Sequence, residues 1–190
     1  MGTQSVSLTW IRSIRELRQV RNVVICGLMI ALAIVLGSVA TIHIGPYIKV
    51  GISGVPNRVI DMMFGPAVGA IFGAVVDVLK WMVNPDGPFF PGFTVSAAMG
   101  GLIYGYAFYK HKITIPRVLI ANLIVKIFVN VGLNSIWLNM LYNKAIIALL
   151  PSRIISNLVQ LPVHTILIFT VLTATRRMLA QNGWGNGDKA

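Results

Sequence analysis

The chain reads as an all-α integral membrane protein, a bundle of six transmembrane helices with both termini cytoplasmic. Three observations lead there. First, 56% of the 190 residues are hydrophobic and 11% are charged, against roughly 25% charged in a soluble domain, and the mean hydropathy is +0.77. Second, apolar runs near membrane length recur between Gly- and Pro-containing breaks, and a bilayer core needs about 20 such residues per helix. Third, the cations gather at Arg12, Arg15, Arg18 and Arg21, at Lys110, Lys112 and Arg117, and at Arg176, Arg177 and Lys189. Six spans place all three groups on one side, which the positive-inside rule makes the cytoplasm.

The elements follow in order. Residues 22–41 form a first helix and 42–53 a Gly-Pro-containing link. Residues 55–64 are short for a span, and Gly65-Pro66 breaks the chain before a third helix over 67–83. Asn84-Pro85-Asp86-Gly87-Pro88 is a loop signal. A fourth helix covers 93–109, a fifth 117–141 and a sixth about 150–175, with Pro151 in its first turn. The domain boundaries are a basic cytoplasmic arm at 1–21, a six-helix membrane domain at 22–176 and a cytoplasmic tail at 177–190.

The net charge of +11 would suggest nucleic acid in a soluble protein. No aromatic-basic interleaving accompanies it here, so no nucleic-acid partner is expected, and the bilayer is the partner of the apolar surface. Cys26 is the one cysteine, which excludes an intrachain disulfide. The apolar run from Val23 to Ala40 exceeds the ~7–15-residue core of a signal peptide and is read as a retained helix. The Gly- and Asn-rich stretch 181–187 reads as a frayed tail.

Small residues recur every four positions: Gly27 and Ala31, Ala33 and Gly37, then Gly65, Gly69 and Gly73, and Ala97, Gly101 and Gly105. Such spacing lets membrane helices approach closely. Packing within the chain needs it as much as packing against a partner does, and internal packing is the first reading of each pair alone.

Polar residues inside apolar helices are costly unless they face a cavity or another helix. Lys126, Asn130, Asn134 and Trp137 are spaced by four, four and three, and share one helix face. Arg153, Asn157, Gln160 and His164 form a second stripe. Two such stripes on adjacent helices imply a polar pocket between them.

Several residues carry two readings. Arg153 serves either as a snorkelling interfacial cation or as a fork for an anionic ligand, and the stripe below it favours the pocket. Trp137 is an interfacial anchor or a stacking surface. Phe89-Phe90-Pro91-Gly92-Phe93 is an apolar cap or a lid over an aromatic substrate. Arg58 with Asp61, and Asp77 with Lys80, are spaced by three as structural ion pairs are, and Asp77 is also placed to face a cavity. Lys49 is one of the few cations on the outer side and joins the ligand-binding candidates with Asn157. His43, His111 and His164 lack metal-ligand spacing, so no metal is expected. No cofactor, phosphate loop or nucleophile–base pair is read from the chain.

Taken together, Gly65-Pro66 with Gly69 and Gly73, Asp77, the 89–94 segment, Gly100-Gly101-Leu102-Ile103-Tyr104-Gly105, Leu133-Asn134-Ser135-Ile136-Trp137-Leu138 and Leu149-Leu150-Pro151-Ser152-Arg153 resemble the folate-specific S components of energy-coupling-factor (ECF) transporters. The resemblance runs from about residue 22 to 175. It implies a non-enzymatic vitamin-binding subunit in the cell membrane of a bacterium. Its partners would be a transmembrane coupling subunit and two cytoplasmic ATPases. Substrate would enter from outside, loops would close over it, and the subunit would topple to release it. Gly27 and Ala31 occupy the place of the small pair that meets the coupling subunit, where alanines are usual. Folate's planar pterin, aromatic middle and anionic tail suit Asn134, Trp137, Arg153 and the 89–93 loop, with Asp77 accepting from a pterin amino edge. The alternatives are an S component for another planar vitamin, a channel or structural membrane protein, or a small intramembrane enzyme using Asp77 and His164.

Overall fold

The computed structural model describes residues 10–11, 13–39, 41–44, 48–85, 87–142 and 146–181, with side chains described outside 41–50 and 146–153. The helices are α1 (Val20–Val39), α2 (Val55–Phe64), α3 (Pro66–Val83), α4 (Pro91–Phe108), α5 (Ile115–Ile124), α6 (Asn134–Tyr142) and α7 (Ile146–Gln181). A π-helical stretch, Val125–Leu133, joins α5 to α6, and Ile115–Tyr142 is one continuous rod. Val20–Val39, Pro66–Val83, Ile115–Tyr142 and Ile154–Gln181 are long and apolar enough to cross a membrane.

The all-α expectation is corrected at one place. The link after α1 carries an antiparallel hairpin of β1 (Thr41–Ile44) and β2 (Ile48–Gly51), with Thr41 opposite Gly51 and Ile44 opposite Ile48. Its strands are rich in β-branched residues and flank Gly45-Pro46, which are strand and turn cues in the sequence. The start of the last helix is also corrected. α7 begins at Ile146, so Pro151 lies in its second turn. A proline there removes one backbone bond of the ladder, which membrane helices tolerate when neighbouring groups take up the freed carbonyl. At 36 residues α7 is about 54 Å long at 1.5 Å per residue, well beyond the hydrocarbon thickness of ~30 Å.

α2 is ten residues long and is central to the packing. Val59 and Met62 enter a core with Phe108 of α4, Val118 of α5 and Leu172 of α7. Ile60 and Phe64 enter a second core with Ala33 of α1 and Phe72 of α3. α2 stops because Gly65 has φ 86, a left-handed conformation that favours glycine, and Pro66 then opens α3. Such a break frees backbone groups that hydrocarbon cannot satisfy. Ser13, fully buried, answers both sides: its Oγ donates to the Phe64 carbonyl at 2.5 Å and accepts from the Val68 N–H at 3.1 Å. The basic arm before α1 is therefore anchored to the bundle.

α3 and α4 form the closest helix pair, antiparallel, through the two glycine series. A Cβ on Gly69 would lie 2.9 Å from the Gly101 carbonyl oxygen, one on Gly73 2.7 Å from that of Ala97, and one on Gly105 2.4 Å from Pro66 Cα. These small residues thus pack internally. Gly27 and Ala31 differ: both are exposed, and a Cβ on Gly27 would meet nothing within 4 Å.

Adjacent glycines on α4 test this contact. A Cβ on Gly101 would come within 2.2 Å of the Gly69 carbonyl oxygen, whereas one on Gly100 would meet nothing within 4 Å. Gly101→Ala should destabilise by about 1–3 kcal/mol through overpacking. Gly100→Ala should be neutral or stabilise by up to ~1 kcal/mol. Thermal unfolding in detergent reads both, and equal midpoints would contradict the α3–α4 interface.

Candidate ligand-binding site

The two polar stripes meet at Asn157 of α7. Its Oδ1 accepts from Lys126 Nζ at 3.4 Å and from Asn130 Nδ2 at 3.3 Å, both from the π-helical stretch. Lys126 is buried and Asn130 and Asn157 are half-buried. A π-helix closes i to i+5 rather than i to i+4 bonds, so the strict four-residue stripe expected here is rotated within the turn. His164 continues the α7 stripe and feels the positive charges of Lys126 and Arg58. Its Nε2 is buried without a hydrogen-bond partner, as are Asn134 Oδ1 and Ser135 Oγ. Buried polar groups are normally paired, so this seam has capacity for further hydrogen bonds.

An aromatic group lies beside α6. The Trp137 ring stands 5.8 Å from that of Phe90, which lies 6.0 Å from Phe93. Trp137 Nε1 donates to Ser96 Oγ at 3.0 Å, and a Cβ on Gly92 would run into the indole at 2.5 Å. The start of α4 therefore packs flat against Trp137. Phe89 does not join this group; it packs on Trp81 at 5.1 Å, while Trp81 Nε1 donates to the Gly87 carbonyl at 2.9 Å. Pro91 is the exposed first residue of α4.

Asp77 and Lys80 are both half-buried near this end. Asp77 Oδ2 accepts from Thr94 Oγ1 at 2.9 Å, and Lys80 Nζ donates to the Ser53 carbonyl at 3.3 Å. The lysine thereby ties α3 to the segment after the hairpin. Asp77 is thus bonded to Thr94, while His164 Nε2 has no hydrogen-bond partner. Lys49 lies in β2 and Arg153 in α7, and both side chains lie outside the described residues.

Arg58 forms the expected pair with Asp61, Nη1 to Oδ2 at 2.8 Å. Its guanidinium also lies 3.7 Å over the Tyr104 ring. Tyr104 Oη donates to Asn122 Oδ1 at 2.5 Å, and Asn122 Nδ2 donates to Thr165 Oγ1 at 3.1 Å. A polar chain thus crosses the core from α2 through α4 and α5 to α7. Sequence reasoning missed Ser96, Thr94 and Asn122 as partners. Asn122 had a visible cue, standing four residues before Lys126 in the same stripe; Ser96 and Thr94 had none beyond their polarity in an apolar helix.

A helical membrane protein with a polar interior, an aromatic cluster at one end and unpaired buried acceptors is built to hold a polar solute. The family model of the ECF transporter substrate-specific component matches residues 21–172, and the chain belongs to that family, one of transporter subunits rather than enzymes. Folate transporter FolT of Clostridium novyi (strain NT) is 37% identical over 166 residues, covering 87% of this chain and 96% of that protein. FolT of Leuconostoc mesenteroides subsp. mesenteroides is 32% identical over 168 residues, covering 85% and 88%. A crystal structure of FolT bound with folic acid matches with a TM-score of 0.74 at 29% identity, over 82% of this chain and 95% of that one.

Asn157 offers a direct test of the seam. Asn157→Leu removes the acceptor shared by Lys126 and Asn130, leaving a buried cation short of a partner. The expected loss is about 1–3 kcal/mol of stability without ligand, read by thermal unfolding. An unchanged midpoint would show that Lys126 is satisfied elsewhere.

Proposed function

We propose that the chain is the folate-capturing subunit of an ECF importer in the bacterial cell membrane. The observation that carries this reading is the convergence of Lys126 and Asn130 on Asn157 of α7, the helix that also carries the buried, unpaired Nε2 of His164. It is supported by the similarity to FolT proteins, one of them solved with folic acid. Folate presents amide-like pterin edges, an aromatic middle and an anionic glutamate tail. Amide side chains suit the edges, Trp137 and Phe90 suit the rings, and the cations suit the tail. Arg153, Lys49 and Asp77 belong to the proposed ligand set with Asn134, Asn157, Phe89 and Pro91.

In this reading six helical rods cross the membrane over residues 22–176, and both termini are cytoplasmic. Trp10 contacts Tyr106 and Arg176 reaches the His111 carbonyl, which supports a shared side for the arm, the 109–114 turn and the end of α7. The 84–90 loop and the start of α4 then face outside with the binding site. The exposed Gly27–Ala31 face of α1 meets the transmembrane coupling subunit, and two cytoplasmic ATPases energise release.

Folate added to the detergent-purified chain should quench tryptophan fluorescence saturably at micromolar concentration, with no ATP hydrolysis. Loss of a hydrogen bond to a charged group costs about 1.5–3 kcal/mol. Arg153→Ala should therefore weaken binding by roughly ten- to a hundredfold. No saturable quenching would remove folate as the substrate; unchanged affinity in Arg153→Ala would make that residue an interfacial anchor.

The α1 face yields a separate outcome. Gly27→Leu with Ala31→Leu should leave folate binding intact, because neither residue is packed inside the chain. Uptake by the reconstituted four-subunit complex should fall, since bulky residues hold helices apart. Normal uptake would show that the coupling subunit meets another surface.

A further inference from the structure

At the end of the bundle opposite the ligand site, a cavity of about 270 Å³ opens between the 112–113 segment and the last turns of α7. Lys112, Ile113, Thr173, Arg176, Arg177 and Ala180 line it. We propose that this cavity is a binding site for the phosphate of an anionic phospholipid in the cytoplasmic leaflet. The proposal is independent of which vitamin the opposite end holds.

Three cations share one small cavity, and no carboxylate is among its lining residues. The described acidic side chains are engaged elsewhere: Glu16 accepts from Asn22, Asp61 from Arg58, and Asp77 from Thr94. The cavity is also built rather than a chance cluster. Arg176 Nη1 donates to the His111 carbonyl at 2.7 Å, which holds the 111–113 segment against α7, and Arg117 Nη1 donates to the Lys112 carbonyl at 3.3 Å, which ties the same segment to the start of α5. Two guanidiniums and an ammonium match the acceptor oxygens of a phosphate.

The apolar surroundings favour a lipid over a free phosphate. Ile115 at the start of α5 is 57% exposed and Met178 on α7 is 63% exposed. Both lie within a few residues of the cavity lining, where acyl chains would run. Basic pockets between helices on the cytoplasmic side bind acidic headgroups, and cations near the surface contribute about 1 kcal/mol each.

Native mass spectrometry of the full detergent-purified chain, titrated with phosphatidylglycerol or phosphatidylcholine, tests this. Wild type should prefer phosphatidylglycerol. Arg177→Gln should weaken that binding by about fivefold, and Arg177→Gln with Lys112→Gln by about twenty-five-fold. Arg18→Gln in the exposed N-terminal arm should have no effect. Lys112 and Arg177 are exposed, so the lipid-free melting midpoints of their variants should match wild type. Equal effects of Arg177→Gln and Arg18→Gln would reduce the preference to diffuse charge and overturn the site. Equal affinity for the two lipids would also overturn it, as would displacement of phosphatidylglycerol by millimolar inorganic phosphate.

Discussion

Hydrocarbon satisfies no hydrogen bond, and that constraint organises this protein. Polar side chains placed in an apolar helix are costly unless they find a partner inside the chain or in a bound solute. Asn122, Lys126 and Asn130 sit one turn apart along the fifth rod, and each reaches α7, at Thr165 or Asn157. The seam fixes how that rod lies against α7. It also concentrates cationic and amide groups where a solute with acceptors and donors would be held. In the proposed function the same groups serve packing and binding, which makes the site part of the scaffold.

The broken helix pair α2–α3 is the second consequence. Stopping α2 at Gly65 lets a ten-residue helix sit between two cores and carry Arg58 into the interior. The freed backbone groups at the break are taken by Ser13, which lies outside every membrane helix in the sequence. Arg58, in turn, is balanced by Asp61 and by the face of Tyr104. Glycine against glycine then brings α3 and α4 together, so the Asp77–Thr94 bond forms toward the end of that pair where α3 stops and α4 begins.

Much of this was legible in the sequence. The stripes were readable from helical spacing of three and four, and Lys126 and Asn130 do meet Asn157, whereas Trp137 of the same stripe bonds Ser96 of α4. The glycine series were readable for the same reason, and the small pair at Gly27 and Ala31 stands apart by pointing outward. The hairpin of β1 and β2 was less legible, because its two four-residue strands carry no helical period and their cue lies only in the β-branched residues on either side of Gly45-Pro46 in the sequence. The π-helical winding at 125–133 has no comparable sequence cue. The Arg58–Asp61 pair was readable from its spacing of three, but the place of the guanidinium over Tyr104 was not, because Tyr104 lies on α4, far along the chain. Phe89 and Phe90 are neighbours in sequence yet pack on different tryptophans, Trp81 and Trp137, a division fixed by the turn before α4 rather than by residue type.

The central claim is that the polar seam and the aromatic group beside it hold one planar, anionic vitamin without altering it. The most direct test is mass spectrometry of the small molecule that stays with the chain when it is purified from cells supplied with folate and then denatured. The account predicts unmodified folate at about one molecule per chain in wild type, and its loss in a folded variant carrying both Asn134→Leu and Asn157→Leu. Recovery of a different compound, of a chemically altered folate, or of folate in equal amount from that variant would contradict it.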